Sequence, residues 1–353
     1  MKKFIIFIVI LLNCIVTYCF ASEVAYLVCD YEILKIDVAN DTSIIISSSS
    51  SGLDGLRDSK NHSSAIDYSR DKLITVFDGG FFVYKLKEFQ IIKRIELHEA
   101  GMDYLGSVVI YPDSIDMYYV VVGYSIGENL DIKFFKYCFS KSDDKLINIS
   151  NIDYDLINHR FWLSSTGNCL YYYDKAKEIL NVVDIINFKT IKSINMSDVY
   201  TAGVSWTDIK DVKNGHLLLS ENDKNTEENN YYFYLYDIDT NVKTSRFYFG
   251  HNYNDISIID DSTIAVSNVG SSNFIYFYNY KGELLSKIVV EPNNGSEFAG
   301  VSYDGKNLYY VVYGLYDEEN NRNDTVYIYD VKSSTMIKSY QCKNFDGISF
   351  DYK

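Results

Sequence analysis

The chain has 353 residues and a formal net charge of −15, from 48 acidic and 33 basic side chains. An acidic surface repels phosphate backbones and anionic headgroups, so we expect neither a nucleic-acid partner nor binding to an anionic membrane. The 34 tyrosines and 20 phenylalanines, against 2 prolines, favour β-strands, because such side chains fit a pleated, half-buried surface. We therefore expect an all-β protein.

The first predicted element is a secretory signal peptide at 1–21. Two lysines precede a long apolar run, small residues follow it, and we expect cleavage after Ala21. An uncleaved membrane anchor stays open, because the run approaches the length that spans a bilayer. A lipoprotein signal is disfavoured, because Asn13 and Tyr18 precede the two cysteines. We expect a secreted or periplasmic monomer whose body, 22–353, is a single domain without membrane insertion.

Short alternating apolar runs separated by polar turns fill the rest of the chain. One family of runs carries a polar residue near its end, in six steps that average about 49 residues from position 37 to position 330. Asp at this place accepts hydrogen bonds from the backbone of the next turn, so we predict a structural role. The seven positions are Asp37, Lys85, Cys138, Asp184, Asp237, Asn279 and Asp330.

Each repeat holds four predicted strands, which we name A to D. In the last full repeat they are 298–303, 307–313, 325–331 and 336–341. Four strands in about 45–50 residues are typical of a β-propeller blade. The N-terminus supplies strands B, C and D without an A, and the C-terminal "DGISFDYK" supplies a lone A. We therefore predict a seven-bladed propeller closed by one C-terminal and three N-terminal strands, which removes free sheet edges.

The stretches "AIDYSRDKLITVFDGGFFVYKLKEFQIIKRIEL" (65–97) and "RFWLSSTGNCLYYYDKAKEILNVVDIINFKTIKSI" (160–194) resemble the blades of YVTN-type propellers of the WD40-like superfamily. The resemblance implies a seven-bladed, often exported propeller and no single chemistry. The literal Y-V-T-N tetrapeptide is absent.

The string "AGVS" occurs at 202–205 and 299–302, and "DGIS" follows at 346–349. We predict that these strings mark the entry to strand A, where the blades crowd the central channel. Glycine there lets backbones approach closely. The glycines are Gly106, Gly203, Gly300 and Gly347.

In a propeller the B–C and D–A connections emerge at one end of the blades. The long, irregular connections all belong to that end, at 50–62, 124–131, 223–230 and 314–324, so we expect the binding site there. The predicted binding residues are His98, Tyr104, Arg160, Tyr200, His251, Tyr253, Glu297 and Asp346.

Loop 314–324 also offers oxygen ligands for calcium, although a solvated acidic loop without metal explains the same residues. The four candidate ligands are Asp317, Glu318, Glu319 and Asp324.

No motif for catalysis is present: there is no HExxH, GxSxG or CxxC. Four cysteines lie outside the signal, and we expect free thiols although export permits any pairing. We expect no cofactor and no catalytic residue. The leading hypothesis is a scaffold that binds a protein, peptide or glycan. The alternative is a lactonase-like hydrolase or a quinoprotein-related enzyme with its site at the channel mouth. The cysteines are Cys29, Cys138, Cys169 and Cys342.

Overall fold

The computed structural model describes residues 24–350, with gaps at 30–31, 49–63, 68–69, 78–79, 89, 97–101, 105–116, 127–130, 141–145, 155–158, 164–168, 175–176, 200–205, 214, 224–229, 245, 250–252, 269–273, 291–295, 303–304 and 318–321. The regular structure of these residues is β apart from a 3-10 helix at Met196–Asp198 and 3-10 conformation at Arg70. Within the same residues no helix is long and apolar enough to cross a membrane.

The strands form seven antiparallel sheets, whose bounds follow in chain order. Sheet 1 begins with β1 (Val24–Cys29), β2 (Glu32–Asp37) and β3 (Thr42–Ser48). Sheet 2 holds β4 (Ser64–Asp67), β5 (Lys72–Phe77), β6 (Gly80–Lys85) and β7 (Gln90–Glu96). Sheet 3 holds β8 (Met102–Tyr104), β9 (Met117–Ile126), β10 (Asp131–Ser140) and β11 (Leu146–Tyr154). Sheet 4 holds β12 (His159–Leu163), β13 (Cys169–Asp174), β14 (Ile179–Asp184) and β15 (Lys189–Asn195).

The remaining strands complete the other three sheets and close the first. Sheet 5 holds β16 (Trp206–Lys213), β17 (His216–Asp223), β18 (Asn230–Asp237) and a divided outer strand, β19 (Val242–Lys243) and β20 (Phe247–Tyr248). Sheet 6 holds β21 (Tyr253–Ile258), β22 (Thr263–Asn268), β23 (Phe274–Asn279) and β24 (Leu284–Val289). Sheet 7 holds β25 (Ser296–Val301), β26 (Asn307–Val312), β27 (Asn323–Asp330) and β28 (Thr335–Lys343). The last strand, β29 (Phe345–Phe350), pairs with β1 and completes sheet 1.

Contacts between first strands show how the sheets are arranged. In order around the axis, β12 contacts β16, β16 contacts β21, β21 contacts β25, β25 contacts β29 and β29 contacts β4. First strands meet in this way when sheets converge on a common axis, so six sheets stand side by side as blades of a β-propeller. This corrects the prediction of seven adjacent blades. The first strand of sheet 3, β8, is three residues long, which leaves little backbone for such a contact.

The hydrophobic core lies between neighbouring sheets. One buried cluster joins Ala25 and Leu27 of sheet 1 to Tyr309 and Val326 of sheet 7. Because both faces of a sheet are covered in this way, its second strand is apolar throughout, and all six residues of β1 are buried.

The recurrent aspartates stabilise the C–D turns, as the sequence predicted. In each of four turns the Oδ1 of the aspartate accepts a hydrogen bond from the backbone N–H three residues later. The donors are Asn40 to Asp37 (3.0 Å), Asn187 to Asp184 (2.6 Å), Thr240 to Asp237 (2.7 Å) and Ser333 to Asp330 (2.6 Å). The residue after each donor has positive φ: Asp41, Phe188, Asn241 and Ser334.

The outer strands of six sheets carry a β-bulge, and the extra residue is always isoleucine or leucine. A bulge twists an edge strand and hinders pairing with a second molecule, so these edges are protected against aggregation. The extra residues are Ile46, Ile92, Ile147, Ile191, Leu285 and Ile337.

Gly300 confirms the role predicted for the second "AGVS" string. A Cβ on Gly300 would lie 2.8 Å from Cγ2 of Ile348 in the first strand of the next sheet. No Cβ fits there without displacement, so glycine lets β25 and β29 approach. Gly106 and Gly203 lie outside the described residues.

Candidate ligand-binding face

We call the end of the sheets from which the B–C and D–A connections emerge the loop face. The connection between β26 and β27, residues 313–322, lies at this face together with the first two residues of β27. We call residues 313–324 the finger, of which the structure describes 313–317 and 322–324. A β-bridge pairs Tyr316 with Arg322. A Cβ on Gly314 would lie 2.0 Å from the carbonyl oxygen of Asn323, so only glycine allows the two sides of the finger to come this close.

Asp324 fastens the base of the finger to the ring. Its side chain is fully buried. Oδ1 accepts hydrogen bonds from Arg322 Nε at 2.7 Å and from the Gly314 backbone N–H at 3.1 Å. Oδ2 accepts from the backbone N–H of Phe345, in β29, at 2.7 Å. Arg322 and Asn344 add two hydrogen bonds between the finger and the D–A junction, at 2.6 and 2.8 Å. These hydrogen bonds fix the base of the finger to the ring.

The first side of the finger exposes two large apolar side chains in succession. Leu315 is 73% and Tyr316 is 65% exposed. Behind them the guanidinium of Arg322 lies over the ring of Tyr313, with its carbon 4.0 Å from the ring centroid. A fixed segment that displays an aliphatic and an aromatic side chain to solvent is suited to docking on a partner, because its conformational entropy is already lost.

A second cluster of charged and aromatic residues lies at the same end of sheet 5. Glu221, in β17, is fully buried, and its Oε2 lies 2.9 Å from Nε of Arg246. The Arg246 guanidinium lies over the ring of Tyr232, at 3.7 Å from the centroid. Tyr248, which is 53% exposed, packs on Tyr232 with the ring centroids 5.2 Å apart.

Burial sets the ionisation in this cluster. Burial raises the pKa of the Tyr234 hydroxyl, and the charge of Glu221 raises it further, so Tyr234 stays neutral. Burial also lowers the pKa of Lys243, whose ammonium lies 3.8 Å from the centroid of the Tyr234 ring and 4.0 Å from Glu221 Oε1. The nearby negative charge of Glu221 opposes that lowering.

Two inner-strand carboxylates that the sequence analysis missed connect neighbouring sheets. Asp211, in β16, accepts hydrogen bonds at Oδ2 from the Ser257 hydroxyl (3.0 Å) and the Ile258 N–H (2.7 Å) of β21. Asp255, in β21, accepts from the Phe298 N–H of β25 at 2.8 Å.

Burial raises the pKa of Asp211, and its three hydrogen-bond donors oppose that effect. A buried carboxylate with a raised pKa is a candidate general acid or base. Here Ser257, Ile258 and Val212 already occupy its oxygens, which favours a structural role.

Of the eight predicted binding residues, five lie on first strands, where the structure describes the backbone but not the side chains. These are Tyr104 (β8), Arg160 (β12), Tyr253 (β21), Glu297 (β25) and Asp346 (β29). The other three, His98, Tyr200 and His251, lie outside the described residues. Whether the eight converge on one site therefore stays a prediction.

The calcium hypothesis has one described ligand on each side of the finger. Asp317 is exposed, whereas Asp324 is buried with both oxygens engaged by protein donors. Glu318 and Glu319 lie outside the described residues. Among the residues that are described, no group of three or more His, Cys, Asp or Glu side chains could hold a metal.

None of the three cysteines whose side chains are described is in a disulfide bond, as expected. Cys29 and Cys342 are buried, and Cys169 is partly buried. Burial raises the pKa of the Cys169 thiol, and the charges of Asp184 and Asp239 add to this, so it is a poor nucleophile at neutral pH. Cys138 lies in β10, and its side chain is not described.

Comparison with known proteins shows the fold and no family. No model of a known protein family matches the chain, and no curated protein matches it. Among solved structures, it is similar to dihydro-heme d1 dehydrogenase NirN, with a TM-score of 0.54 and 11% identity over 92% of this chain and 74% of that one. The WD40 domain of SCAP from fission yeast gives a TM-score of 0.49 and 12% identity over 93% and 88%. At such low identity the likeness to NirN concerns the fold alone: the chain is a β-propeller.

Proposed function

We propose that the protein is a binding scaffold that engages a protein ligand through its loop face, with the finger as the main contact. The observation that carries this proposal is the pair Leu315 and Tyr316, which a fully buried Asp324 and a β-bridge hold in an exposed position. Tyrosine is enriched among the residues that dominate interface energies. An aliphatic neighbour favours a protein surface over a sugar ring, which would need stacking and hydrogen bonds.

The experiment is a photo-crosslinking capture from extracts of the source organism. A photoreactive phenylalanine analogue replaces Tyr316 in one sample and Leu284 in another. Leu284 is 52% exposed and begins the outer strand β24, next to a C–D turn and away from the loop face. We expect one protein to crosslink at position 316 and not at position 284.

The same capture is repeated with the crosslinker at Tyr248, on the loop face, in two variants. Leu315→Ala/Tyr316→Ala should reduce crosslinking to that protein at least about tenfold, and Leu284→Ala/Leu285→Ala should leave it unchanged. Equal capture by both variants, or capture of a glycan in place of a protein, would refute the finger as a protein-binding element.

We further propose that sheet 3 occupies the place between sheets 2 and 4, which would make a ring of seven blades. Its position in the chain, its four antiparallel strands and the bulge in its outer strand support this placement. A crystal structure in which sheets 2 and 4 touch directly would rule it out.

We also propose that residues 1–21 direct export and are removed. The basic start, apolar run and small residues of this segment support the proposal. N-terminal sequencing of the protein from its source should begin at Ser22, and a start at Met1 would favour a retained anchor.

An enzyme is the second candidate, and a hydrolase at the channel mouth would need converging histidines and carboxylates. No specific observation favours it, because the carboxylates of Asp211 and Asp324 are both engaged by protein donors.

A further inference from the structure

Arg246 in sheet 5 and Arg322 in the finger each lie against a buried carboxylate, Arg322 through a hydrogen bond and Arg246 through an ion pair. The Nε of Arg246 lies 2.9 Å from Oε2 of Glu221, and the Nε of Arg322 donates to Oδ1 of Asp324 over 2.7 Å. Both carboxylates are fully buried. Each arginine therefore turns its inner edge to a fixed negative charge.

An aromatic ring holds the plane of each guanidinium. The carbon of the Arg246 guanidinium lies 3.7 Å from the centroid of Tyr232, and that of Arg322 lies 4.0 Å from the centroid of Tyr313. A guanidinium stacked on a ring and bound at Nε has little freedom to rotate. Its geometry is set before any ligand arrives.

The outer edge of each guanidinium is available. The side chains of Arg246 and Arg322 are 31% and 21% exposed. The ion pairs that Arg246 and Arg322 form with the described residues run through Nε, on the inner edge. Two parallel Nη donors match the two oxygens of a carboxylate, and such charge-assisted pairs are among the stronger hydrogen bonds in proteins.

The two arginines lie at the same end of two sheets that are separated by one other sheet. Arg322 precedes β27, and the guanidinium of Arg246 lies over Tyr232, the third residue of β18 from the loop face. Exposed apolar side chains accompany both: Tyr248 beside Arg246, and Leu315 and Tyr316 beside Arg322.

We propose that Arg246 and Arg322 are two carboxylate-binding positions, and that the ligand is a peptide segment presenting isolated carboxylates next to apolar groups. This deepens the proposed function and rests on it for the choice of face. A continuous polyanion does not fit, because the net charge of −15 opposes it at long range. An isolated carboxylate brings one negative charge, so the screened long-range repulsion is small and the contact with a guanidinium outweighs it.

The experiment is an NMR titration of the arginine side chains in the whole, ¹⁵N-arginine-labelled protein. The probe is N-acetyl-phenylalanine, which carries a carboxylate and a ring, and the control is its neutral amide. We expect saturable shifts of the Arg246 and Arg322 guanidinium signals with the acid and about tenfold weaker binding of the amide. Arg246→Gln and Arg322→Gln assign the two signals, because each variant lacks one of them. In each variant the shift at the remaining arginine should be unchanged.

Arg70 is the matched internal control. Its side chain is 40% exposed, but its Nη1 already donates to Asp67 at 3.1 Å. Equal shifts at Arg70, or equal binding of acid and amide, would overturn the proposal. Stronger binding of glucuronate than of N-acetyl-phenylalanine would show that the two arginines recognise an acidic sugar and not a peptide. The titration needs no partner protein, so its failure leaves the capture experiment at position 316 intact. If the capture fails and the titration succeeds, the finger is rejected as a protein-binding element, while the two arginines are retained as carboxylate-binding positions.

Discussion

Single aspartates define the turns of this propeller, and Asp330 is the clearest of them. Its Oδ1 accepts the Ser333 N–H at 2.6 Å, and hydrogen bonds from the backbone and hydroxyl of Ser333 hold its pKa below the ordinary value. The same holds for Asp237, whose pKa the Thr240 N–H lowers. A lowered pKa in the folded state means that the charged form stabilises the fold.

We predict that Asp330→Ala lowers the free energy of unfolding by about 1 kcal/mol at pH 7, because the turn loses a charged acceptor at a largely solvent-accessible site. Asp330→Asn keeps an oxygen and should cost less. Since the folded pKa is lowered, the advantage of wild type over Asp330→Asn is complete above the unfolded pKa of about 3.9 and disappears as the pH falls through the folded value.

Urea denaturation of the three proteins at a series of pH values measures this difference. The pairwise comparison cancels the titration of all other groups. An advantage of wild type that grows on acidification would contradict the assigned sign, and no difference at any pH would show that the turn hydrogen bond is energetically neutral.

At the scale of elements, the finger depends on one close approach between its two sides. A Cβ on Gly314 would lie 2.0 Å from the carbonyl oxygen of Asn323, a backbone atom that cannot move without breaking the bridge between Tyr316 and Arg322. We predict that Gly314→Ala releases the finger while β26 and β27 stay paired.

Hydrogen exchange checks this prediction: the N–H groups of Gly314 and Arg322, which donate to Asp324 and Asn344, should exchange at least about tenfold faster in Gly314→Ala. Gly215→Ala is the matched control. It is strained at a φ of +75°, but its Cβ meets only Asp239 Oδ2 at 3.6 Å. It should lower overall stability by about 1 kcal/mol and leave exchange in the finger unchanged. Unaltered finger exchange in Gly314→Ala would contradict the proposed constraint.

The elements were largely predictable from the sequence, and the contacts between them were not. Strand B of the last repeat was predicted at 307–313 and is observed as Asn307–Val312, because a buried apolar run between turn residues is a local signal. The sequence offers Asp324 either as a candidate calcium ligand or as part of a solvated acidic loop, whereas its side chain is buried and accepts a hydrogen bond from Phe345. That contact forms only when β29 joins the first sheet, so no local pattern reveals it.

The contact between Glu221 and Arg246 was also not predictable, because the two residues are far apart in sequence. Glu221 and Arg246 meet through the divided outer strand of sheet 5, and Asp211 reaches Ser257 in the next sheet. Sequence patterns place such residues on strands, but the pairing of their side chains depends on how strands and sheets stack. The strands that carry these residues were therefore predictable, while their side-chain partners were not.

At the scale of the whole molecule, β29 joins the two ends of the chain. Ala25 pairs with Phe350 and Leu27 with Ile348, and the Phe350 ring lies 5.4 Å from that of Tyr309 in sheet 7. β29 also contacts β25 on one side and β4 on the other. Its loss would expose β1 and the cores on both sides of sheet 1, so the ring should not remain cooperative without it.

We predict that a chain ending at Asn344 unfolds at least about 10 °C below wild type and exposes apolar surface, since several kcal/mol of burial are lost. Adding a synthetic peptide of residues 345–353 should restore the melting temperature, because the peptide can pair with β1 as the native strand does. The matched control peptide carries Ile348→Asp and Phe350→Asp, which place charges in the core shared by sheets 1 and 7. Calorimetry and a fluorescent probe of apolar surface measure both effects. Rescue by the control peptide, or an unchanged melting temperature of the truncated chain, would show that pairing of β29 with β1 does not hold the ring closed.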